Sequence, residues 1–434
     1  MNLKFFKNLN VRELRSFKLH LIFSVIDGLI RGALVLNEFV FIKSLHGSSY
    51  QLSFLFQASV VVLALSIVFN EIIFRSKNKK GLLRKAAIFT HLPMLILLFF
   101  PRNPEIYTVD SIYHYLFLFV FFTYCLSYPI TLPAISLFLK NSYSKDNFGK
   151  LYSISTSVRQ ILQMVIIFLF GWLLDLDNYA FTYVMPILGV LGIVSIFILT
   201  KIEFLQKTVP DIAGGIISSS IESVKKLFKI LKTNKAYFDY ELGFMFYGFS
   251  FMLTKAVIII FYYEVLILNY SSVAFYQNVY NTVAILLLPF SGKLIGKIDP
   301  RKFTIYPFLA FGGYILFIAL SKYDPIIFEI WNIKIYLSLF ISSIFFGIFF
   351  STITLSWNIG SSYFASNEEA GDYQSVHLFL TSVRGLLAPV IGIVIYEWFG
   401  FNWTFGIAIS FLIIASIYMK WSHKNRPVLN IQSN

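Results

Sequence analysis

The stretch KIEFLQKTVPDIAGGIISSSIESVKKLFKILKTNKAY, residues 201–237, is the one long polar interval in a chain otherwise made of apolar spans, and it divides the protein in two. It holds Pro210, the pair Gly214-Gly215, the serine run Ser218–Ser220 and the lysines 201, 207, 225, 226, 229, 232 and 235. Within it Ile217, Ile221, Val224, Phe228 and Leu231 recur at helical spacing with lysines between them. That pattern fits a short amphipathic helix on an anionic membrane surface as well as it fits a solvated basic connector.

Outward from this interval the composition excludes a soluble protein: 57% of the 434 residues are hydrophobic, 13% are charged and the mean hydropathy is +0.72. The 49 Phe and 26 Tyr rise together with Ile, Lys and Asn, as an AT-rich genome would produce, so aromatic content by itself marks no site. Cys125 is a lone thiol with no disulfide partner and no metal-ligand spacing around it. The first apolar segment is too long, and too polar at its centre, for a signal peptide, and is expected to be retained.

Spans of about 20 apolar residues, the length that crosses a hydrocarbon core of about 30 Å, are expected at 19–41, 51–74, 86–101, 112–139, 151–174, 180–200, 238–264, 273–292, 303–321, 334–358, 373–396 and 400–419. The third is interrupted by His91 and Pro93. Six spans precede the polar interval and six follow it, which puts both termini and the connector on one side. Of the 36 basic residues, only Lys43, Arg102, Lys322 and Lys334 fall on the opposite loops, and Arg31, Arg159, Lys255 and Arg384 fall within spans. All the others lie on one set of alternate loops, so the positive-inside rule makes that side cytoplasmic. The net charge of +14 is then explained without nucleic acid. The expected organisation is an N-terminal six-helix bundle over 1–200, a cytoplasmic connector over 201–237, a C-terminal six-helix bundle over 238–420 and a cytoplasmic tail over 421–434.

The halves also echo each other. Thr156-Ser157-Val158-Arg159 returns as Thr381-Ser382-Val383-Arg384, the basic loop Arg75–Lys80 as Lys297–Lys302, and Ser48-Ser49 as Ser271-Ser272, at nearly constant offset. Three landmarks in order suggest a six-helix unit used twice. The loop Gly292-Lys-Leu-Ile-Gly-Lys-Ile-Asp-Pro-Arg-Lys302 resembles the Gly-x-x-x-Asp-Arg-x-Gly-Arg-Lys loop of the major facilitator superfamily. Gly292, Lys297, Arg301 and Lys302 match it, Gly296 stands where the acid is expected, and the acid appears at Asp299. The first-half counterpart keeps Arg75, Lys79 and Lys80 but lacks the Gly and the Asp. The resemblance covers nearly the whole chain. It implies an all-α polytopic membrane protein of twelve transmembrane helices in two pseudo-symmetric bundles around a central cavity. It further implies alternating access, a gating role for the loop residues Gly292, Lys297, Asp299, Arg301 and Lys302, and a monomer in the cytoplasmic membrane.

An ionisable group inside a span costs at least about 2.5 kcal/mol, so each is a functional candidate. Asp27, Arg31 and Glu38 lie on one face of the first span, with Arg31 about 18 Å from its cytoplasmic end. The expected roles are solute binding for Arg31 and proton coupling for Asp27, against a purely structural Asp27–Arg31 ion pair. The fifth span carries the stripe Tyr152, Thr156, Arg159, Gln163 and the eleventh the stripe Tyr373, His377, Thr381, Arg384. Arg159 and Arg384 are expected to clamp a solute together with Arg31, with Gln163, Thr381, Gln277 and Asn281 beside them and His377 as a second coupling candidate. The alternative is that the arginines brace helices through backbone carbonyls. Counting Arg31, Arg159, Lys255 and Arg384 against Asp27 predicts an anionic or zwitterionic solute.

The competing readings are a proton-linked exporter of lipophilic compounds, a polytopic membrane enzyme and a transporter-like sensor without flux. No His-Glu-x-x-His, Gly-x-Ser-x-Gly or phosphate-loop motif is present, and Glu368-Glu369 is the nearest carboxylate pair, so neither catalysis nor ATP hydrolysis is expected. No cofactor and no metal is implied.

Overall fold

The structure is a computed structural model that describes residues 9–65, 69, 72, 76–108, 111–203, 225, 227–295, 297–324, 327–365 and 369–426. The amphipathic reading of Ile217, Ile221 and Val224 lies outside these residues, as do Arg75, Gly296 and Glu368. Among the described residues, ten helices are long and apolar enough to cross a membrane. Twelve spans were expected, and the difference has two sources. Helix α3 (Ser49–Ala64) covers only part of the second expected span. The segment α13 (Ala370–Asn425) contains the eleventh and the twelfth as two helices that meet at a kink at Gly400, whose φ of 80° and ψ of 179° only glycine adopts readily.

By packing the chain divides into Met1–Gly47 with Leu65–Ile216, and Ser48–Ala64 with Ile217–Asn434. The first unit contains α1 (Val11–Leu34), α2 (Asn37–Lys43), α4 (Lys79–His91), α5 (Ile112–Cys125), α6 (Ser127–Ser142), α7 (Lys145–Leu176) and α8 (Phe181–Leu199). Helix α4 tightens into a 3₁₀ helix over Leu92–Phe99, where Pro93 can neither donate a backbone N–H nor clear the preceding turn. Helices α5 and α6 part at Leu126, three residues before Pro129.

Helix α1 packs along α7 and α8. Two features fix it on α7. The Glu13 carboxylate accepts the Ser144 N–H at 2.7 Å, so an acid sits at the positive start of α7. A turn-spaced pair, Gly28 and Gly32, lets the backbones approach, since a Cβ at Gly28 would lie 2.6 Å from the Arg159 carbonyl oxygen and one at Gly32 would lie 2.8 Å from that of Gln163.

The second unit contains α9 (Lys235–Glu264), α10 (Tyr270–Ile295), α11 (Pro300–Ser321), α12 (Leu337–Ile359) and α13, with α3 packed on α13. Gly385 of α13 meets Val60 of α3, and Gln57 donates to the Leu386 carbonyl at 2.6 Å. A hairpin that the sequence pattern does not indicate, β1 (Ile327–Ile330) and β2 (Ile333–Tyr336), precedes α12 and takes Lys334, at the edge of the tenth expected span, into a strand. Its two-residue turn, Trp331-Asn332, has positive φ at both positions, the geometry that matches strand twist.

The close approach at Gly32 makes a prediction. Gly32→Ile should destabilise the purified protein by about 1–3 kcal/mol through overpacking, read as a lower melting temperature in detergent. Gly406→Ala, where a Cβ meets nothing within 4 Å, should leave the melting temperature unchanged or slightly raised.

Candidate functional site

The registry of α1 on α7 brings three charged side chains of the first unit to one point. Arg31 Nε donates to Asp27 Oδ2 at 2.7 Å, and Arg159 Nη1 reaches the same oxygen at 3.5 Å. The Arg31 guanidinium also lies over the Tyr128 ring, 5.1 Å from its centroid, a cation–π contact that steadies it without neutralising it. These groups line a cavity of about 70 Å³ in which Asp27 is the only carboxylate among the lining residues. Two arginines against one acid leave a surplus positive charge inside a membrane-spanning bundle. Hydroxyl and imidazole groups complete the wall: Ser24 and His20 of α1, His91 of α4, Tyr124 of α5, Tyr128 and Thr131 of α6, Tyr152 and Thr156 of α7. The His20 and Tyr143 side chains are hydrogen-bonded at 3.0 Å, and His91 shares a hydrogen bond with Thr90 at 2.8 Å.

The sequence reading foresaw Asp27, Arg31, Arg159, Tyr152 and Thr156 on inward faces. It passed over His20 and Ser24, although His20, Ser24, Asp27 and Arg31 form one continuous helical stripe that an extension toward the N-terminus would have found. His91 looked like an interruption of a weak span, and no periodic signal marked it. Gln163 is half-buried one turn beyond Arg159 and is outside the cavity lining.

The remaining expected site residues belong to the second unit. Arg384 is 2% exposed and lies across α9, donating from Nη1 to the Phe244 carbonyl at 2.5 Å and from Nη2 to Thr381 Oγ1 at 3.0 Å. Thr381 itself donates to the His377 carbonyl at 2.8 Å. Arg384 thus supplies the bracing of helices through a backbone carbonyl that was the alternative to a clamp. His377 Nδ1 sits 3.0 Å from both carboxylate oxygens of Glu241. Gln277 Oε1 and Asn281 Nδ2, one turn apart on α10, are buried and without a hydrogen-bond partner among the described residues. Lys255 lies between the rings of Phe56 and Phe251, 5.1 and 5.2 Å from their centroids.

The charge count from sequence needs correction. Asp239 and Glu241 lie within the expected span 238–264 and enter the balance as well, since both are buried, at 0% and 1% exposure. Helix α9 already begins at Lys235, so these acids are inside the fold and not at its edge. Among the described residues, the buried acids Asp239 and Glu241 offset Lys255 and Arg384 in the second unit, while the first unit's cavity keeps its cationic surplus.

The loop expected to gate is tied down inside the second unit. Arg301, 0% exposed, donates from Nη2 and Nε to Asp299 at 2.8 and 3.1 Å and from Nη1 to the carbonyls of Ser422 and Arg426 at 3.0 and 2.6 Å. Asp239 closes the network by accepting from Ser422 Oγ at 2.7 Å and from Arg426 at 3.0 Å. Gly292, Lys297 and Lys302 stay exposed. Burial by itself would raise the Asp299 carboxyl, but its bonds to Arg301 and to His423 hold it below the ordinary carboxylate value.

The sequence model of the Major Facilitator Superfamily matches residues 21–383. Solved structures share the fold across nearly the full chain. A variant of the nucleoside transporter NupG superposes with a TM-score of 0.73 at 11% identity, covering 94% of this chain and 99% of that one. A POT family transporter in complex with 5-aminolevulinic acid gives 0.70 at 13% identity, with 95% and 97% covered. The D-xylose-proton symporter gives 0.63 at 12% identity, with 97% and 98% covered. No curated protein matches by sequence. The chain belongs to the major facilitator superfamily and is a multi-pass membrane protein with the all-α fold expected from its sequence. Its family and structural neighbours are transporters, not enzymes.

Asp299→Asn should cost about 3–5 kcal/mol, because it leaves the buried Arg301 without its counter-charge. The lowered folded-state value means that this contribution is present above the unfolded carboxylate value of about 3.9 and is lost as pH falls through the lower one. Melting temperatures measured from pH 7 down to pH 3 should therefore show a shallower acid limb in the variant than in the wild type.

Proposed function

We propose that the chain is a secondary active transporter that carries a small anionic or zwitterionic solute across the cytoplasmic membrane by alternating access, with a proton as the coupling ion and both termini cytoplasmic. One observation carries the solute class: Arg31 and Arg159 converge on a single oxygen of Asp27 inside a polar cavity. An uncompensated charge within the bilayer costs at least about 2.5 kcal/mol, and an incoming carboxylate or phosphate offsets it through charge-assisted hydrogen bonds. A cavity of about 70 Å³ holds a few waters or the charged end of a small solute. The asymmetry of basic loops supports the orientation, and the monomer remains the simplest assembly.

Coupling follows from competition for the same donors. While Asp27 is ionised it occupies both guanidiniums. A proton on Asp27 weakens that hold and frees the arginines for the solute's anionic group, so proton and anion enter together. Deprotonation reverses the exchange and expels the solute. The symporter among the structural neighbours is named for a proton, which supports this choice of ion.

The check is a thermal-shift screen of the purified protein against small carboxylates, phosphates, amino acids, sugars and lipophilic cations at pH 5.5 and 7.5. Anionic or zwitterionic compounds should stabilise the wild type more at pH 5.5, and Arg159→Gln should bind them at least tenfold more weakly, ~1.4 kcal/mol. Asp27→Asn should bind equally at both pH values and, in proteoliposomes, exchange solute without proton-driven accumulation. Stabilisation by neutral or lipophilic compounds alone, or unchanged affinity in Arg159→Gln, would exclude the anion reading.

A further inference from the structure

The second unit holds a buried ionisable set that the cavity around Asp27 does not use. Glu241 of α9 and His377 of α13 are each 1% exposed. Nδ1 of the imidazole faces both carboxylate oxygens at 3.0 Å, so Nδ1 carries the shared proton when Glu241 is ionised. The other ring nitrogen, Nε2, is buried with no hydrogen-bond partner among the described residues, and the same holds for Nε of Arg384, two turns further along α13. Aromatic rings close the surroundings. Phe244 meets His377 edge-on at 4.9 Å and Trp357 of α12 does so at 4.6 Å.

A pair kept only for packing has no use for a bare imidazole nitrogen and a carboxylate in a dry interior, where each unmet polar atom costs about 1–3 kcal/mol. The charges explain the arrangement better. With Glu241 ionised, His377 neutral and Arg384 charged, the set is neutral. One proton added at Nε2 makes it +1, the same surplus found around Asp27.

Every neighbouring element allows this reading. Besides Glu241, α9 presents Tyr237, which donates to the Tyr373 carbonyl at 2.6 Å, and Tyr240, which donates to the Ser356 carbonyl at 3.1 Å. Helix α12 presents Trp357, and α3 carries no charged side chain. The nearest charges at the end of α11, Asp299 and Arg301, are spent on each other and on the end of α13. Among the described residues, Glu241 is therefore the one carboxylate placed to compensate a protonated His377.

We propose that Glu241 and His377 form a proton-binding site of the second unit, taking one proton at His377 Nε2 when water reaches it, with Glu241 holding the imidazolium. Phe244 and Trp357 pack edge-on against the imidazole, so proton exchange follows their displacement. The site stands whether or not Asp27 carries the transported proton.

The test is a pH titration from 5 to 9 of the full chain in lipid nanodiscs with ¹⁵N-labelled histidine, the His377 signal being the one removed by His377→Gln among six histidines. The wild-type signal should move through a single protonation step. Glu241→Gln, which keeps the size and an acceptor oxygen, should lower its midpoint by at least one pH unit, a tenfold loss of proton affinity. Asp27→Asn should leave the midpoint where it was, whatever it does to solute binding. A ring that holds one protonation state from pH 5 to 9 overturns the proposal, and so does a midpoint unmoved by Glu241→Gln. If that variant elutes as aggregate, the wild-type titration still decides, because a fixed structural hydrogen bond shows no step.

Discussion

Two guanidiniums pulling on one carboxylate oxygen, in a cavity whose other polar groups are uncharged hydroxyls and imidazoles, set the terms for the first unit. Asp27 can satisfy the charge of only one of Arg31 and Arg159. The rest of the local architecture serves to hold that imbalance in place. Glu13 anchors the start of α7, and Gly28 and Gly32 let α1 lie against it with almost no side-chain spacer. The turn of α7 that bears Arg159 is thereby set beside the turn of α1 that bears Asp27 and Arg31.

The repeated Thr-Ser-Val-Arg segment shows how one inherited pattern came to two ends. In the first unit Arg159 faces a polar cavity and a carboxylate. In the second, Arg384 lies over Gly248, where a Cβ would come within 2.1 Å of its Nε, and spends its donors on a backbone carbonyl and a threonine. The glycine is what differs physically: it opens a channel across α9 just wide enough for a guanidinium, so the arginine is sealed in. Compensation in that unit comes from a group already inside, the buried Glu241. At the unit's other end Arg301 is treated in the same way, with its donors consumed by Asp299 and the last turn of α13.

Much of the fold was legible because the bilayer imposes a length on every span and a charge bias on every loop, and both are written in consecutive residues. The one local departure is the hairpin at Trp331-Asn332, in a segment whose apolar content resembles the start of a span, whereas the break at Gly400 and the tightening at Pro93 fall where a span boundary and an interruption were expected. Within the candidate site, pairs on one helix were readable, since i and i+4 determine that Asp27 meets Arg31. Pairs across helices were not. Helical period assigns a residue to a face but does not say which neighbour that face meets, so Arg159 could be placed inward while its partner could not be named. Glu241 was missed for a related reason: near the start of a span, an acid reads as interfacial until the helix is seen to begin earlier.

By itself, therefore, the sequence determined a membrane-spanning, all-helical, duplicated chain, because hydrophobic length and loop charge act locally and along the chain. Only the tertiary structure decided that Asp27 answers to two arginines, that Arg384 is buried and braced on a backbone carbonyl, and that His377 is paired with Glu241. Those outcomes depend on how closely two backbones approach and on which turns stand opposite, and glycines such as Gly28, Gly32 and Gly248 control that distance while leaving no mark in a hydropathy pattern.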